Sequence, residues 1–315
     1  MPVSAAAALI VVAVILGVAI YLTPVIWWDK QKSFLKHRGG SRLCPTPTGN
    51  LEYAVYGEGI PILMMNGAGG SYRQELLSKS LDMKQFQIIG WSRPGYRFTK
   101  LSAGRTPDEQ VELAVQLLDH LKIKKAAVMG VSAGGTAAIK FAHQHPDRCL
   151  GLILCSAAIN APGGLTYNPF MPFTFRALMS FDLLAWLSQK APLESLVASH
   201  GWVDPVRLSD ETIRWMLRDI FNELFPFSAW RDGFLNDLRQ YQDAGNLPFE
   251  EVKVKSLVIH GTTDRTAPIG ASLTAIKRIP NAQPLIIERG THLIIATHHR
   301  EISAAIEAFL KSRKK

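Results

Sequence analysis

The clearest candidates for catalytic residues lie in the segment Gly130-Val131-Ser132-Ala133-Gly134. They follow an apolar, strand-like run and precede a helix-like run over residues 135–143. A strand, a sharp turn with a serine at its tip and a helix form the context in which G-x-S-x-G acts as a nucleophile elbow. Glycines are needed there because the serine backbone is strained and the helix passes close beneath it. The pattern therefore predicts Ser132 as a nucleophile, with the Ala133 N–H directed at a developing oxyanion.

A serine hydroxyl needs a histidine to take its proton and a carboxylate to orient that histidine. Two loops farther along the chain carry such residues. A buried, strand-like run at 256–260 leads into a polar loop with Asp264, and a second run at 284–287 leads into a loop with His292. Chemistry in α/β sheets is placed beyond the carboxyl ends of the strands, where both residues lie. His260, at the end of its strand, is more typical of a packing residue near Asp264.

These motifs give the chain its resemblance to a known family. Gly-Val-Ser-Ala-Gly-Gly at 130–135, His-Gly-Thr-Thr-Asp at 260–264 and Gly-Thr-His at 290–292 resemble the motifs of α/β-hydrolases of the lipase and esterase kind. The resemblance covers about residues 51–309. It implies that Ser132 is the nucleophile, Asp264 the orienting acid and His292 the general base.

The second oxyanion donor is expected from the loop after an early strand. That loop is Asn66-Gly67-Ala68-Gly69-Gly70, and the backbone N–H of Ala68 is the predicted donor. Relatives usually carry His-Gly where this chain has Asn-Gly. An Asn side chain can supply similar hydrogen bonds to the loop. A second departure is the segment 90–96 after the next strand, which we expect to border the same pocket.

The order of apolar runs predicts the architecture. Strands that alternate with helices indicate an α/β fold with a mostly parallel, twisted sheet covered by helices on both faces. The alternation stops between about 160 and 250, where helix-like segments predict a cap inserted into a hydrolase domain at 51–315. That insertion holds 15 of the chain's 28 aromatic residues. The surplus predicts an apolar acyl or aromatic pocket, or a cap edge that dips into lipid.

The N-terminus predicts a membrane anchor. Residues 1–28 contain no charged side chain, and residues 5–28 as a helix would measure about 36 Å, enough to cross a hydrocarbon core of ~30 Å with tilt. No Lys or Arg precedes the apolar run, which disfavours a cleaved signal peptide. A basic linker is expected at 29–50, so the positive-inside rule places a single-pass anchor with the catalytic domain in the cytosol.

Composition excludes several other functions. The formal net charge is +9, but no aromatic-basic module supports nucleic-acid binding. The basic clusters suit anionic lipid headgroups or a solvated tail equally well. The chain has three cysteines, so at least one is unpaired. No His, Cys or Asp cluster has ligand spacing, and we predict neither a metal nor a cofactor.

The sequence thus predicts a membrane-anchored serine hydrolase that cleaves carboxylic esters of hydrophobic, lipid-like molecules. In this it resembles monoacylglycerol lipases with one N-terminal span. A C–C bond hydrolase, an amidase or a thioesterase would use the same three residues. A non-catalytic α/β-hydrolase scaffold that binds a hydrophobic ligand or a partner is the alternative from another class, and the intact triad argues against it.

Overall fold

The computed structural model describes residues 5–159, 182–243 and 247–311. Eight strands form one sheet: β1 (Arg42–Thr46), β2 (Gly49–Gly57), β3 (Ile60–Met65), β4 (Phe86–Trp91), β5 (Ala126–Val131), β6 (Cys149–Cys155), β7 (Ser256–Gly261) and β8 (Ala282–Ile287). The α-helices of the described residues are α1 (Ala5–Arg38), α2 (Glu75–Ser80), α3 (Pro107–His120), α4 (Gly135–Gln144), α5 (Asp182–Lys190), α6 (Leu193–Ala198), α7 (Pro205–Leu208), α8 (Glu211–Glu223), α9 (Arg231–Asp243), α10 (Gly270–Arg278), α11 (Ile294–Thr297) and α12 (His299–Lys311).

The sheet has the strand order β1-β2-β4-β3-β5-β6-β7-β8. The pairs β1–β2 and β2–β4 are antiparallel, and every other pair is parallel. The prediction of a mostly parallel α/β sheet is therefore confirmed. Because β3, β5, β7 and β8 all run the same way, the loops that follow them meet at one edge of the sheet.

Hydrophobic packing covers both faces of the sheet. Successive side chains of a strand point to opposite faces, so Leu63 joins the cluster under α3 and α4, while Ile62 joins the cluster under α2 and α12. The start of α3 follows the sequence pattern closely: the Thr106 side chain accepts from the Glu109 N–H, and the Glu109 side chain accepts from the Thr106 N–H. This capping box fixes where the helix begins.

The predicted cap at about 160–250 falls partly on residues 160–181 and 244–246, which lie outside the described residues. Residues 182–243 are mainly helical and have a small core of their own around Met216, Leu217 and Phe221. That core packs on Leu293, directly after His292 in the chain. The cap thus rests on the loop of the predicted base.

The N-terminal segment differs from the predicted linker. Residues 29–50 hold the end of α1, all of β1 and the start of β2. Tertiary contacts account for the difference, since Phe34 of α1 packs against Phe98 and Cys44 of β1 is buried. The predicted anchor at 5–28 lies within α1, and most side chains of residues 5–19 are outside the described part.

Within the part of the chain that the structure describes, no helix combines the length and the apolar character that a membrane span requires.

Candidate active site

The predicted nucleophile lies at the tip of a strained turn between β5 and α4. Ser132 has a φ of 47°, in the left-handed region that costs a non-glycine residue free energy. A Cβ atom on Gly134 would lie 2.0 Å from the carbonyl oxygen of Met65, so only glycine fits beneath the turn. Since Met65 pairs with Gly130, the loop after β3 is held beside Ser132.

The structure brings the three predicted triad residues together. Ser132 Oγ lies 3.1 Å from His292 Nε2, and His292 Nδ1 lies 2.7 Å from Asp264 Oδ2. In the matching tautomer, the Ser132 hydroxyl donates to Nε2 and Nδ1–H donates to the carboxylate. This chain of hydrogen bonds allows His292 to take the serine proton while Asp264 stabilises the resulting imidazolium.

Asp264 is held as a carboxylate by its surroundings. Its Oδ1 accepts from the N–H groups of Thr266 and Ala267 at 2.9 and 2.8 Å. Burial raises the pKa of the Asp264 carboxyl, but hydrogen bonds from His260 and His292 more than offset this, so the net pKa lies well below its usual range. His260 is fully buried near Asp264, as expected, with Nε2 at 2.8 Å from the Ala267 carbonyl oxygen.

The Asn66 side chain organises the loop that carries the predicted oxyanion donor. Its Nδ2 donates to the carbonyl oxygens of Ser71 and Trp91, both at 2.8 Å, and its Oδ1 accepts from Gln74 Nε2 at 2.8 Å. Ala68 lines the cavity beside Ser132, and among the described residues its N–H donates to no acceptor.

The second predicted donor, Ala133, follows Ser132 in the 3-10 turn Ser132–Gly134. Two backbone N–H groups thus lie in segments adjacent to the serine hydroxyl, as an oxyanion hole requires.

A cavity of about 210 Å³ adjoins Ser132 and His292. Its apolar lining includes Leu76, Val131, Ile220, Leu224, Leu293 and Ile295. Of the predicted apolar acyl or aromatic pocket, the described residues form the apolar, aliphatic alternative. The cap aromatics Phe221, Phe225 and Trp230 are buried, while the cap contributes aliphatic side chains to the cavity. Aromatics at 167–181 lie outside the described residues.

No pattern in the sequence indicated the charged wall of this cavity. Arg73 lines it and binds Glu223 through a short ion pair, with Asp219 at 3.6 Å from the same guanidinium. Arg97 lies 3.6 Å from the other Glu223 oxygen. Two arginines therefore face two carboxylates, and the charge of Arg73 is compensated within the wall.

The segment 90–96 also departs from expectation. Strand β4 continues through Trp91, and segment 90–96 contributes no side chain to the lining of the cavity. Trp91 is fully buried, and Arg93 forms a buried pair with Asp237 at 2.6 Å. Across the described ranges, no group of three or more His, Cys, Asp or Glu side chains is placed to hold a metal ion.

Comparison with known proteins places this geometry in a family. The family model for the alpha/beta hydrolase fold matches residues 60–299. An uncharacterized hydrolase, YcgS of Bacillus subtilis (strain 168), is 40% identical over 109 residues, which is 35% of this chain and 38% of that protein. The 2-hydroxymuconate semialdehyde hydrolase of Pseudomonas putida is 28% identical over 81% of this chain and 88% of that protein.

A solved α/β-hydrolase fold protein from Nakamurella multipartita superimposes with a TM-score of 0.68 at 24% identity, over 86% of this chain and 99% of that chain. That likeness concerns the fold, and the family model covers most of the present chain. The chain therefore belongs to the α/β-hydrolase fold family and is one of its hydrolases.

Proposed function

We propose that this protein is a serine hydrolase that cleaves carboxylic esters with apolar acyl groups. The observation that carries the proposal is the continuous hydrogen-bond chain from Asp264 through His292 to Ser132, beside a cavity with many aliphatic lining residues. An ester carbonyl next to Ser132 would meet a nucleophile, a base and two backbone N–H groups at once.

The proposed reaction has two halves. His292 Nε2 takes the Ser132 proton as Oγ bonds to the ester carbonyl carbon, and the N–H groups of Ala68 and Ala133 stabilise the oxyanion. The C–O bond then breaks, and the leaving alcohol takes the proton from His292. Water, deprotonated by the same histidine, then attacks the acyl carbon. The bond between that carbon and Ser132 Oγ breaks, Oγ takes the proton back from His292, and the acid leaves. Throughout, Asp264 stabilises the imidazolium.

The charge of the cavity favours a neutral substrate. Arg73 is the one lysine or arginine among the described residues that line the cavity, and Glu223 and Asp219 already compensate its charge. A substrate carboxylate would therefore have to displace a protein carboxylate to gain a full ion pair. An uncharged ester with an aliphatic chain meets no such competition, which supports a lipid ester such as a monoacylglycerol.

We further propose that the apolar residues 5–28 anchor the domain to a membrane, with catalysis on the cytosolic side. Support comes from the absence of charge over residues 1–28 and from the basic residues that follow them. A lipid ester would then reach the enzyme by lateral diffusion.

Hydrolysis of a C–C bond is the second candidate. It is favoured by the relative from Pseudomonas putida, a 2-hydroxymuconate semialdehyde hydrolase that aligns with most of this chain. The same serine and histidine would serve both reactions, but a muconate substrate carries a carboxylate. Glu223→Gln leaves Arg73 less compensated and should raise the acceptance of carboxylate substrates relative to neutral esters by roughly tenfold.

The first test is fluorophosphonate labelling of the full chain in membranes. Wild type should label, Ser132→Ala and His292→Ala should not, and Ser195→Ala, an exposed serine on the cap, is the matched control. Folded wild type that stays unlabelled would overturn the hydrolase mechanism. Monoacylglycerols, short esters, acyl thioesters and a carboxylate-bearing diketone then separate the bond types.

A further inference from the structure

Helix α5 of the cap exposes three leucines on one side. Leu183, Leu184 and Leu187 are 37%, 40% and 46% exposed, while Ala185 on the same helix is fully buried. Positions i, i+1 and i+4 lie on one face of a helix, so the three side chains form a continuous apolar surface. Single exposed leucines are ordinary, but a contiguous apolar face marks a contact site.

The leucine face is fixed next to the end of the apolar N-terminal segment. Lys30 Nζ of α1 lies 2.6 Å from Asp182 Oδ2, and the indole N–H of Trp186 donates to Asp29 Oδ2 at 2.8 Å. These contacts join the first charged residues after the predicted span to both ends of the α5 face. Helix α5 therefore lies at the level where α1 would leave a bilayer.

Aromatic and basic side chains surround the place where α1 contacts α5. Trp27 and Trp28 are each 57% exposed and directly precede Asp29 and Lys30, which contact α5. The ammonium group of Lys32 lies 5.6 Å from the Trp28 ring, and that of Lys190 lies 5.3 Å from the Trp186 ring. Exposed leucines with tryptophans and lysines at their border are typical of surfaces in the membrane interface.

We propose that α5 and residues 27–36 of α1 form a lipid-facing platform, which rests on the anchoring proposed above. In this platform, Leu183, Leu184 and Leu187 enter the interfacial layer of the bilayer. Lys32, Lys36 and Lys190 bind the phosphates and carboxylates of anionic headgroups. Lys32 lies 3.9 Å from Asp29, and Lys30 pairs with Asp182, so the two carboxylates are balanced by these two lysines. Lys36 and Lys190 then leave the surface with net positive charge toward the lipid.

The platform also gives the active site an orientation. Arg73 lines both the cavity beside Ser132 and a second cleft between α1 and the cap, which Lys32, Lys36 and Lys190 also line. The cavity and the cleft thus share Arg73 as a lining residue. With α5 on the bilayer, Arg73 and its carboxylate partners face the lipid, and an ester substrate would enter past them.

The test uses cysteine labelling, which the chain permits because Cys44, Cys149 and Cys155 are all buried. The full-length variant Leu187→Cys carries an environment-sensitive fluorophore. Leu273→Cys on α10, which is 49% exposed and packs beside β7 and β8, is the matched control. Both are reconstituted into phosphatidylcholine vesicles, with or without phosphatidylserine, that contain brominated lipid as a quencher.

The probe at 187 should shift to the blue and be quenched, more strongly with phosphatidylserine, while the probe at 273 should stay in water. A double variant, Leu183→Gln with Leu187→Gln, should lose roughly tenfold in hydrolysis of a vesicle-borne ester. Its rate on a soluble short ester should be unchanged, as should both rates of Leu273→Gln.

The outcomes separate the proposals. A chain that floats with vesicles while its 187 probe behaves like the 273 probe overturns the platform and leaves the anchor standing. A chain that does not float overturns both. Fluorophosphonate labelling of Ser132 in the same samples reports on the hydrolase chemistry independently of either result.

Discussion

Replacing Asn66 with alanine tests how the oxyanion loop is held in this chain. Asn66 is 5% exposed and makes hydrogen bonds at 2.8 Å with the carbonyl oxygens of Ser71 and Trp91 and with Gln74 Nε2. In the alanine variant, Gln74 Nε2 still donates to the Ser71 carbonyl at 3.0 Å. The Trp91 carbonyl, in contrast, loses its side-chain donor.

The expected loss of stability in Asn66→Ala follows from the number of hydrogen bonds that the variant loses. Each net hydrogen bond contributes about 1 kcal/mol, and the Gln74–Ser71 contact offsets part of the loss. We expect the free energy of unfolding to fall by about 2 kcal/mol. Because the loop also positions the Ala68 N–H, kcat should fall by roughly 10²-fold to 10³-fold, the cost of one oxyanion donor.

The assay pairs urea denaturation with kcat on a saturating short ester. Asn66→Asp is the size-matched control, since it keeps the acceptor for Gln74 but sets a carboxylate against two carbonyl oxygens, and it should lose at least as much as Asn66→Ala. Asn66→His should recover part of the rate. Wild-type kcat and stability in Asn66→Ala would refute the assignment of the loop to this side chain.

Two further predictions concern other carboxylates. Asp264→Asn should lower kcat by roughly 10³-fold to 10⁴-fold. Because the pKa of Asp264 is depressed on folding, its contribution to stability is present above about pH 4 and is lost as the pH falls further. The difference in the free energy of unfolding between wild type and Asp264→Asn should therefore shrink when denaturation is measured from pH 7 down to pH 3. A difference that stays constant over this range would contradict the argument. Asp237→Ala leaves the buried guanidinium of Arg93, which is 2% exposed, without its ion-pair partner. Its free energy of unfolding in urea should fall by about 3–5 kcal/mol, and the double variant with Arg93→Met should recover most of that loss.

The sequence predicted the parts of the site that depend on local pattern. Ser132 and Asp264 follow the buried strands β5 and β7, and His292 follows the edge strand β8. Parallel strands bring their following loops to one edge of the sheet. The strand runs are short and apolar, and glycines mark the turns. These are local signals, so three loops that are far apart in the chain could be assigned before their distances were known.

Features that arise from packing between distant segments could not be predicted. Arg73 and Glu223 form a pair although they are 150 positions apart in the chain, and no sequence pattern near either residue indicates that the two are in contact. The linker prediction for 29–50 rested on basic residues, glycine and proline, but Phe34 packs against Phe98 and Cys44 is buried in β1. The surplus of cap aromatics signalled burial, and composition does not distinguish a cap core from a pocket wall.

The charge balance beside the triad also bears on turnover. Ester hydrolysis turns a neutral substrate into a carboxylate, which must leave the cavity after each cycle. An uncompensated Arg73 would hold that product by a charge-assisted hydrogen bond. Glu223 and Asp219 remove this effect while leaving the wall polar. A compensated arginine therefore suits an enzyme whose substrate is neutral and whose product is an anion, which is the charge change of ester cleavage.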